Sequence, residues 1–301
     1  MNIKEEIAKL KKEKNAVILA HYYVDEEVQS VADFIGDSYY LAKVAKSTEA
    51  DRIIFAGVNF MGESAKLLNE DKRVFMPDAT ADCPMAHMAT AEEIAKLRAE
   101  YDDLAVVCYI NSTTELKSLS DVIVTSANAV KIVKKLPNKN IFFIPDRNLG
   151  TFVKEQVPEK NFIFNSGHCP RHTIISAEAL EAAKKAHPSA KIAVHPECLK
   201  EITDQADFVG STSAIIEYVK NEPSGEFIIG TVDGVFYKIN EVAPGKKLYR
   251  INDVQECPNM KKVTLEKIVD VLENETNEVF LEEAVKAPAL APLERMLELA
   301  K

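Results

Sequence analysis

The sequence predicts an α/β protein of three pseudo-threefold-related domains. Each is a three-layer α/β/α sandwich with a short parallel sheet, and the active site lies at their central junction. Three observations carry this expectation. Cys-Pro occurs three times, at Cys83, Cys169 and Cys257, with spacings of 86 and 88 residues. The hexapeptide EEIAKL stands at 5–10 and again, unchanged, at 92–97. Apolar strand-like runs alternate with amphipathic helical patterns, as in parallel α/β folds. A repeat of this length is too long for a solenoid and suits three copies of a small domain.

Each unit opens with a helix: the two EEIAKL segments, then SAEALEAAKKAHP (176–188), all with apolar residues at helical spacing. An apolar strand follows, as AVILAHYY (16–23), LAVVCYIN (104–111) and AKIAVHPE (190–197). The polar ends of these strands align at His21, Tyr109 and His195. Strand alternation puts the residue two further on, Tyr23, Asn111 or Glu197, on the same face. Each unit thus offers a pair of hydrogen-bonding or proton-transferring groups. Seventeen residues past the first of each pair comes a hydroxyl: Ser38, Ser126 or Thr212, with Thr125 and Ser211 adjacent. These read as helix N-caps, and a helix N-terminus attracts anions through its free N–H groups. A second strand follows, at RIIFAG (52–57), IFFIPD (141–146) and FIIGT (227–231), and then the Cys-Pro loop. The expected domains are 1–83 with the C-terminal helices of 258–301, then 84–169, then 170–257. The stretch 230–247, with GTVDG and APGKK, reads as a turn-rich loop.

Composition excludes several classes. The chain has 301 residues, enough for a substantial core without disulfides. Its formal charge is −10 and it has no basic run, which argues against nucleic acid. No apolar stretch is long enough to span a membrane. The opening MNIKEEIAKLKKEK reads as a charged helix and not as a signal peptide. A cytoplasmic location is expected, where five cysteines point to metal or catalysis before disulfides.

Three thiolates, one per unit, can meet on the axis. Zinc with an open fourth position is one reading. A [4Fe–4S] cluster fits better, because proline also follows a ligating cysteine in ferredoxin-type runs. Three ligands for four irons leave one iron free to act as a Lewis acid. Cys108, inside an apolar strand, and Cys198 read as buried small hydrophobes. Glu197 suits a general acid or base, and Tyr23 and Tyr109 suit proton exchange. Together these features describe a lyase or condensing enzyme for small anionic substrates. A different Fe–S dehydratase or aldolase, and a non-enzymatic Fe–S or zinc sensor, are the other classes that fit. Met61, Glu63 and Ser64 read equally as core or site, as do Arg171 and His172 as substrate contacts or loop supports. Asp146 reads as a turn residue, and His87 and His187 as solvated.

The segments AHYY and VADFIGDS (20–38), FAGVNFMGESAKLL (55–68), YINS (109–112), TSANA (125–129), PDRNLG (145–150), GHCPRH (167–172), HPEC (195–198), GST (210–212) and CPNM (257–260) carry a resemblance. Over nearly its whole length the chain resembles the quinolinate synthase family. The resemblance implies an oxygen-sensitive [4Fe–4S] cluster held by Cys83, Cys169 and Cys257. It implies condensation of iminoaspartate with dihydroxyacetone phosphate, losing phosphate and water, to give quinolinate for NAD biosynthesis. An L-aspartate oxidase or dehydrogenase would supply the imine. His21, Tyr23, Ser38, Tyr109, Asn111, Ser126, His195, Glu197, Ser211 and Thr212 would face substrate. In that picture His21, Ser38 and His195 bind carboxylates, Ser126, Ser211 and Thr212 hold phosphate or carboxylate, and Tyr109 and Asn111 position intermediates. Tyr23 and Glu197 handle protons. Thr231-Val232-Asp233 departs from the family pattern and is given no role. Cys257 lacks neighbouring cysteines, so a redox switch there is not expected.

Overall fold

Each unit closes its own four-stranded sheet in a computed structural model that describes residues 2–301. The first sheet has β1 (Ala16–His21), β2 (Phe34–Gly36), β3 (Arg52–Ala56) and β4 (Arg73–Phe75). The second has β5 (Leu104–Tyr109), β6 (Val122–Val124), β7 (Asn140–Ile144) and β8 (Asn161–Phe164). The third has β9 (Lys191–Val194), β10 (Phe208–Val209), β11 (Glu226–Gly230) and β12 (Lys247–Arg250). Their orders are β2-β1-β3-β4, β6-β5-β7-β8 and β10-β9-β11-β12, the same topology three times. All pairings are parallel. Helices flank each sheet, so the architecture is three α/β/α sandwiches. The central strands are buried on both faces, which is why they read as unbroken apolar runs.

Four strands per unit replace the two legible in the sequence. β2, β6 and β10 span only two or three residues, too few to leave a periodic trace. Their place is marked instead by a repeated aspartate. Asp33, Asp121 and Asp207 each accept a central-strand N–H, from Ile18 (2.8 Å), Val106 (2.7 Å) and Ile192 (2.8 Å). Each carboxylate satisfies a donor that the short neighbouring strand does not reach.

The opening helices repeat down to their caps. Asn2 and Thr90 form capping boxes with Glu5 and Glu93, Ser176 caps the third helix, and Thr264 caps a fourth, Leu265–Asn274. This fourth copy packs on the first helix, Ile3–Glu13, as expected for a tail returning to the first domain. The last helix, Glu283–Leu299, does not. It lies mainly on Thr114–Ser118 and β6 of the second unit. Lys131 and Lys135 clamp its end by donating to the carbonyls of Ala300, Lys301 and Leu299.

The 230–247 stretch is also more ordered than its turn residues predict, for Val235–Val242 is a helix. Gly234 opens it against the first unit, where a Cβ would fall 2.6 Å from the Tyr22 carbonyl oxygen. The Gln29 amide donates to Tyr22, Val24 and Gly234 carbonyls and fastens this junction. No helix among the described residues is long and apolar enough to cross a membrane.

Candidate active site

The β1, β5 and β9 ends meet around one central cavity with about 210 Å³ open to the centres of water-sized molecules. Four sets of equivalent residues line it: His21, Tyr109 and His195; Tyr23, Asn111 and Glu197; Ser38, Ser126 and Thr212; Cys83, Cys169 and Cys257. Ser211 alone of the expected site residues does not line it. Its hydroxyl accepts the Ala214 N–H and caps the helix Thr212–Asn221.

The paired residues do not share a strand face, because β1, β5 and β9 stop at or before the first of each pair. They converge through a turn. In the first unit the Tyr23 N–H donates to His21 Nδ1 (3.2 Å), and in the third the Glu197 N–H donates to His195 Nδ1 (3.3 Å). Nor are the three hydroxyls caps. Asp37 caps the helix Ser38–Ser47, Asn128 is the N-cap position of Ala129–Lys135, and Ser211 caps the third. Ser38 and Thr212 are first helical residues and Ser126 precedes its helix, which frees all three hydroxyls for the cavity.

The Nδ1 contacts set the histidine tautomers. Each Nδ1 accepts a backbone N–H, so each ring carries its proton on Nε2. His195 Nε2–H donates to Ser126 Oγ (3.2 Å). Burial lowers both rings to about 3, with neighbouring Glu197 opposing that and the adjacent histidines adding to it. They are neutral donors at neutral pH, and the 3.7 Å approach of His195 Nδ1 to Glu197 is not an ion pair.

Glu197 is 3% exposed and its carboxylate meets His172 Nδ1 at 2.7 Å. Burial works against the carboxylate, but His172 and a hydrogen bond from the Tyr109 hydroxyl outweigh it and hold Glu197 below its usual range. Burial, reinforced by Glu197, raises Tyr23 and Tyr109 well above the ordinary phenol value, so both stay protonated. The Tyr23 hydroxyl meets Thr212 Oγ1 (2.9 Å) and Thr231 Oγ1 (2.7 Å), and Thr231 Oγ1 meets His172 Nε2 (2.9 Å). A continuous hydrogen-bonded line thus joins Thr212, Tyr23, Thr231, His172 and Glu197 across two units.

Cys-Pro has a local reason. In the first two loops cysteine is the N-cap and proline the first residue of a short helical turn, Pro84–His87 or Pro170–Thr173. The turn aims later N–H groups at sulfur: Met85 and Ala86 at Cys83, Arg171 at Cys169, Met260 and Asn259 at Cys257. Asp146 caps Arg147–Gln156 through one oxygen and accepts the Cys169 N–H through the other (2.9 Å), so it does more than start a turn. Burial pushes Cys83 up to about 12 and raises Cys169 and Cys257 as well. A raised value disfavours the thiolate as a free nucleophile, and a bound metal would deprotonate any thiol it takes as a ligand. The three thiols are too far apart for one ion. Among the described residues only Cys169, His172 and Glu197 bring ligand atoms within 4.8 Å of one another. Three thiolates on one zinc sit about 3.8 Å apart. A polynuclear cluster, where each thiolate takes its own metal atom, fits the wider set.

Asn111 Oδ1 and Thr125 Oγ1 line the cavity, buried and without a partner, as acceptors or donors awaiting a ligand. Arg171 is the single Lys or Arg on the wall. Met61 lines the cavity, whereas Glu63 and Ser64 face the second unit through Thr114 and Lys117. Lys117 is fully buried and was not singled out by any spacing. Cys108 and Cys198 are buried as expected. His87 is exposed beside Asp82, but His187 stacks on Tyr249 and is only half exposed.

The family model described as quinolinate synthetase A protein matches residues 5–298. A quinolinate synthase of Fusobacterium nucleatum subsp. nucleatum is 53% identical over 298 residues, covering 99% of both chains. One from Caldicellulosiruptor bescii is 49% identical over 297 residues, covering 99% of this chain and 98% of its own. One from Clostridioides difficile is 46% identical over 296 residues, covering 98% and 97%.

Proposed function

The chain belongs to the quinolinate synthetase A family, and from that premise we propose that it makes quinolinate for NAD biosynthesis. It does so by condensing iminoaspartate with dihydroxyacetone phosphate, with loss of phosphate and water. The observation that carries this reading is that twelve equivalent residues, four from each repeat, line one enclosed cavity.

Cys83, Cys169 and Cys257 would hold a [4Fe–4S] cluster, whose open iron would polarise a hydroxyl or carbonyl oxygen. The remaining chemistry falls to the protein. His21, neutral with its proton on Nε2, donates to a substrate carboxylate without adding charge, and His195 Nε2–H holds the Ser126 hydroxyl, which donates in turn. Ser38, Ser126 and Thr212 complete anion contacts at helix starts. This explains how a wall with one arginine can take two anionic substrates. Asn111 offers its unpartnered amide oxygen to the imine or a hydroxyl.

Glu197 accepts the proton lost during condensation. It is a weak base in the free site, and anionic substrates packed beside it raise its proton affinity. Tyr109, protonated and hydrogen-bonded to Glu197, and Tyr23 at the end of the Thr231–His172 line return protons to departing hydroxyls. Enclosure keeps water from hydrolysing the imine.

The test is an anaerobic assay with dihydroxyacetone phosphate and iminoaspartate generated in situ from L-aspartate by an oxidase. Quinolinate should form only with both substrates. Cluster-loaded protein that makes none would overturn the reading.

A further inference from the structure

We propose that Cys169, His172 and Glu197 form a single-ion site for a divalent transition metal such as zinc, and that filling it excludes use of Cys169 by a larger cluster. His172 Nδ1 lies 2.7 Å from Glu197 Oε2 and 3.2 Å from Cys169 Sγ. The three ligand atoms lie within 4.8 Å of one another. Sulfur, imidazole nitrogen and carboxylate oxygen together make a ligand set that zinc accepts, with the fourth position open to the cavity.

The geometry is that of a proton standing where an ion fits. Nδ1–H is now shared between a carboxylate oxygen and a sulfur. In a tetrahedral site nitrogen sits about 3.3 Å from oxygen and about 3.6 Å from sulfur. Both contacts therefore open by only about half an ångström, a side-chain adjustment. The ion replaces the Nδ1 proton, the Cys169 thiol gives up its own, and both protons or their equivalent leave to solvent. No electron is transferred. The other ring nitrogen is already placed, since Nε2–H can donate to Thr231 Oγ1 at 2.9 Å. Metal-bound histidines orient themselves by such a bond. Thr231 in turn is held by Tyr23 at 2.7 Å.

The consequence is competition. One ion takes both a thiol of the Cys-Pro trio and the Glu197 carboxylate. The chain loaded with zinc cannot then complete a three-cysteine cluster. This holds whether or not the condensation chemistry above is right.

The probe is Co²⁺, titrated into full-length protein freed of metal by chelation and kept reduced. One Co²⁺ per chain should bind, with a thiolate-to-cobalt absorption band and the visible bands of a tetrahedral ion. Cys169→Ser should lose the thiolate band, and His172→Gln should lose tight binding. Thr231→Val should weaken binding about tenfold while keeping the band. Cys83→Ser and Cys257→Ser should titrate as wild type. Zinc should displace the cobalt; after zinc treatment wild-type protein should take up no iron and sulfide, whereas His172→Gln, which holds no zinc, should take up both. Circular dichroism of each variant checks the fold. Two results would overturn the site. One is cobalt affinity that falls as far in Cys83→Ser and Cys257→Ser as in Cys169→Ser. The other is no thiolate band in wild-type protein. A wild-type chain that binds cobalt as described but never takes up iron would leave this site standing and remove the cluster.

Discussion

His21 and His195 predict acid lability of a definite size. They are 5% and 3% exposed, and each is held near 3 against 6.5 for a free imidazole. The folded chain therefore binds fewer protons than the unfolded chain between those values, and stability is lost as pH falls through the window. At pH 5 each histidine lies about 1.5 units below its unfolded value, at about 1.4 kcal/mol per unit. That is about 2 kcal/mol each, and about 4 kcal/mol for the pair, almost none of it present at pH 7. Glu197 acts in the same sense but outside this window. Its lowered value adds stability that is kept above 4.5 and lost only below it. The assay is urea unfolding of metal-free, reduced protein at pH 7 and pH 5, followed by circular dichroism. His21→Asn and His195→Asn keep an oxygen where Nδ1 accepts its N–H. Each should shrink the wild-type difference by about 2 kcal/mol. Equal wild-type stability at the two pH values, or variants with the full wild-type difference, would refute the neutral-tautomer assignment.

Other outcomes follow from the same geometry. Glu197→Gln should keep the metal content and lose about a hundredfold or more in quinolinate turnover, measured anaerobically. Lys117, buried and donating to Ser64 Oγ (2.8 Å) and the Phe60 carbonyl (3.2 Å), is lowered by burial to about 8 from 10.5. The folded state carries fewer protons between these values, so stability should rise with pH from 8 to 10.5. Lys117→Met should abolish that rise and, by denaturant melting at pH 7, be up to about 3 kcal/mol more stable. Cys108→Ala and Cys198→Ala should retain iron in an anaerobic metal analysis, because neither lines the cavity.

The repeat made most of the site legible. Spacings alone nominated Cys83, Cys169, Cys257 and the strand-end residues, and the same residues line one cavity. What failed was local. Strand alternation pairs His21 with Tyr23 and His195 with Glu197, yet a turn closed by an N–H to Nδ1 brings them together. Ser38 reads as a cap from its spacing, but Asp37 beside it caps as well as serine does and takes the N-cap position. His172 stayed ambiguous because it has no counterpart in the other repeats, and its role depends on contacts to residues 25 and 59 positions away. Thr231 was hidden for the same reason. Asp33, Asp121 and Asp207 were visible as a third spacing signal in DFIGDS, DVIVTS and DFVGST. The packing of the last helix on the second unit is not legible because no pattern in 283–299 names a partner, and Pro288 and Pro292 obscure its helical period.

The most direct test of the account is iron and acid-labile sulfide per chain in protein purified and reconstituted without oxygen, with its visible spectrum. The three Cys-Pro loops predict about four of each and the broad thiolate-to-iron absorption of a cluster. They also predict loss of both in Cys83→Ser, Cys169→Ser and Cys257→Ser. No iron or sulfide after reconstitution of protein first freed of zinc by chelation would contradict the central claim that three equivalent loops hold one cluster.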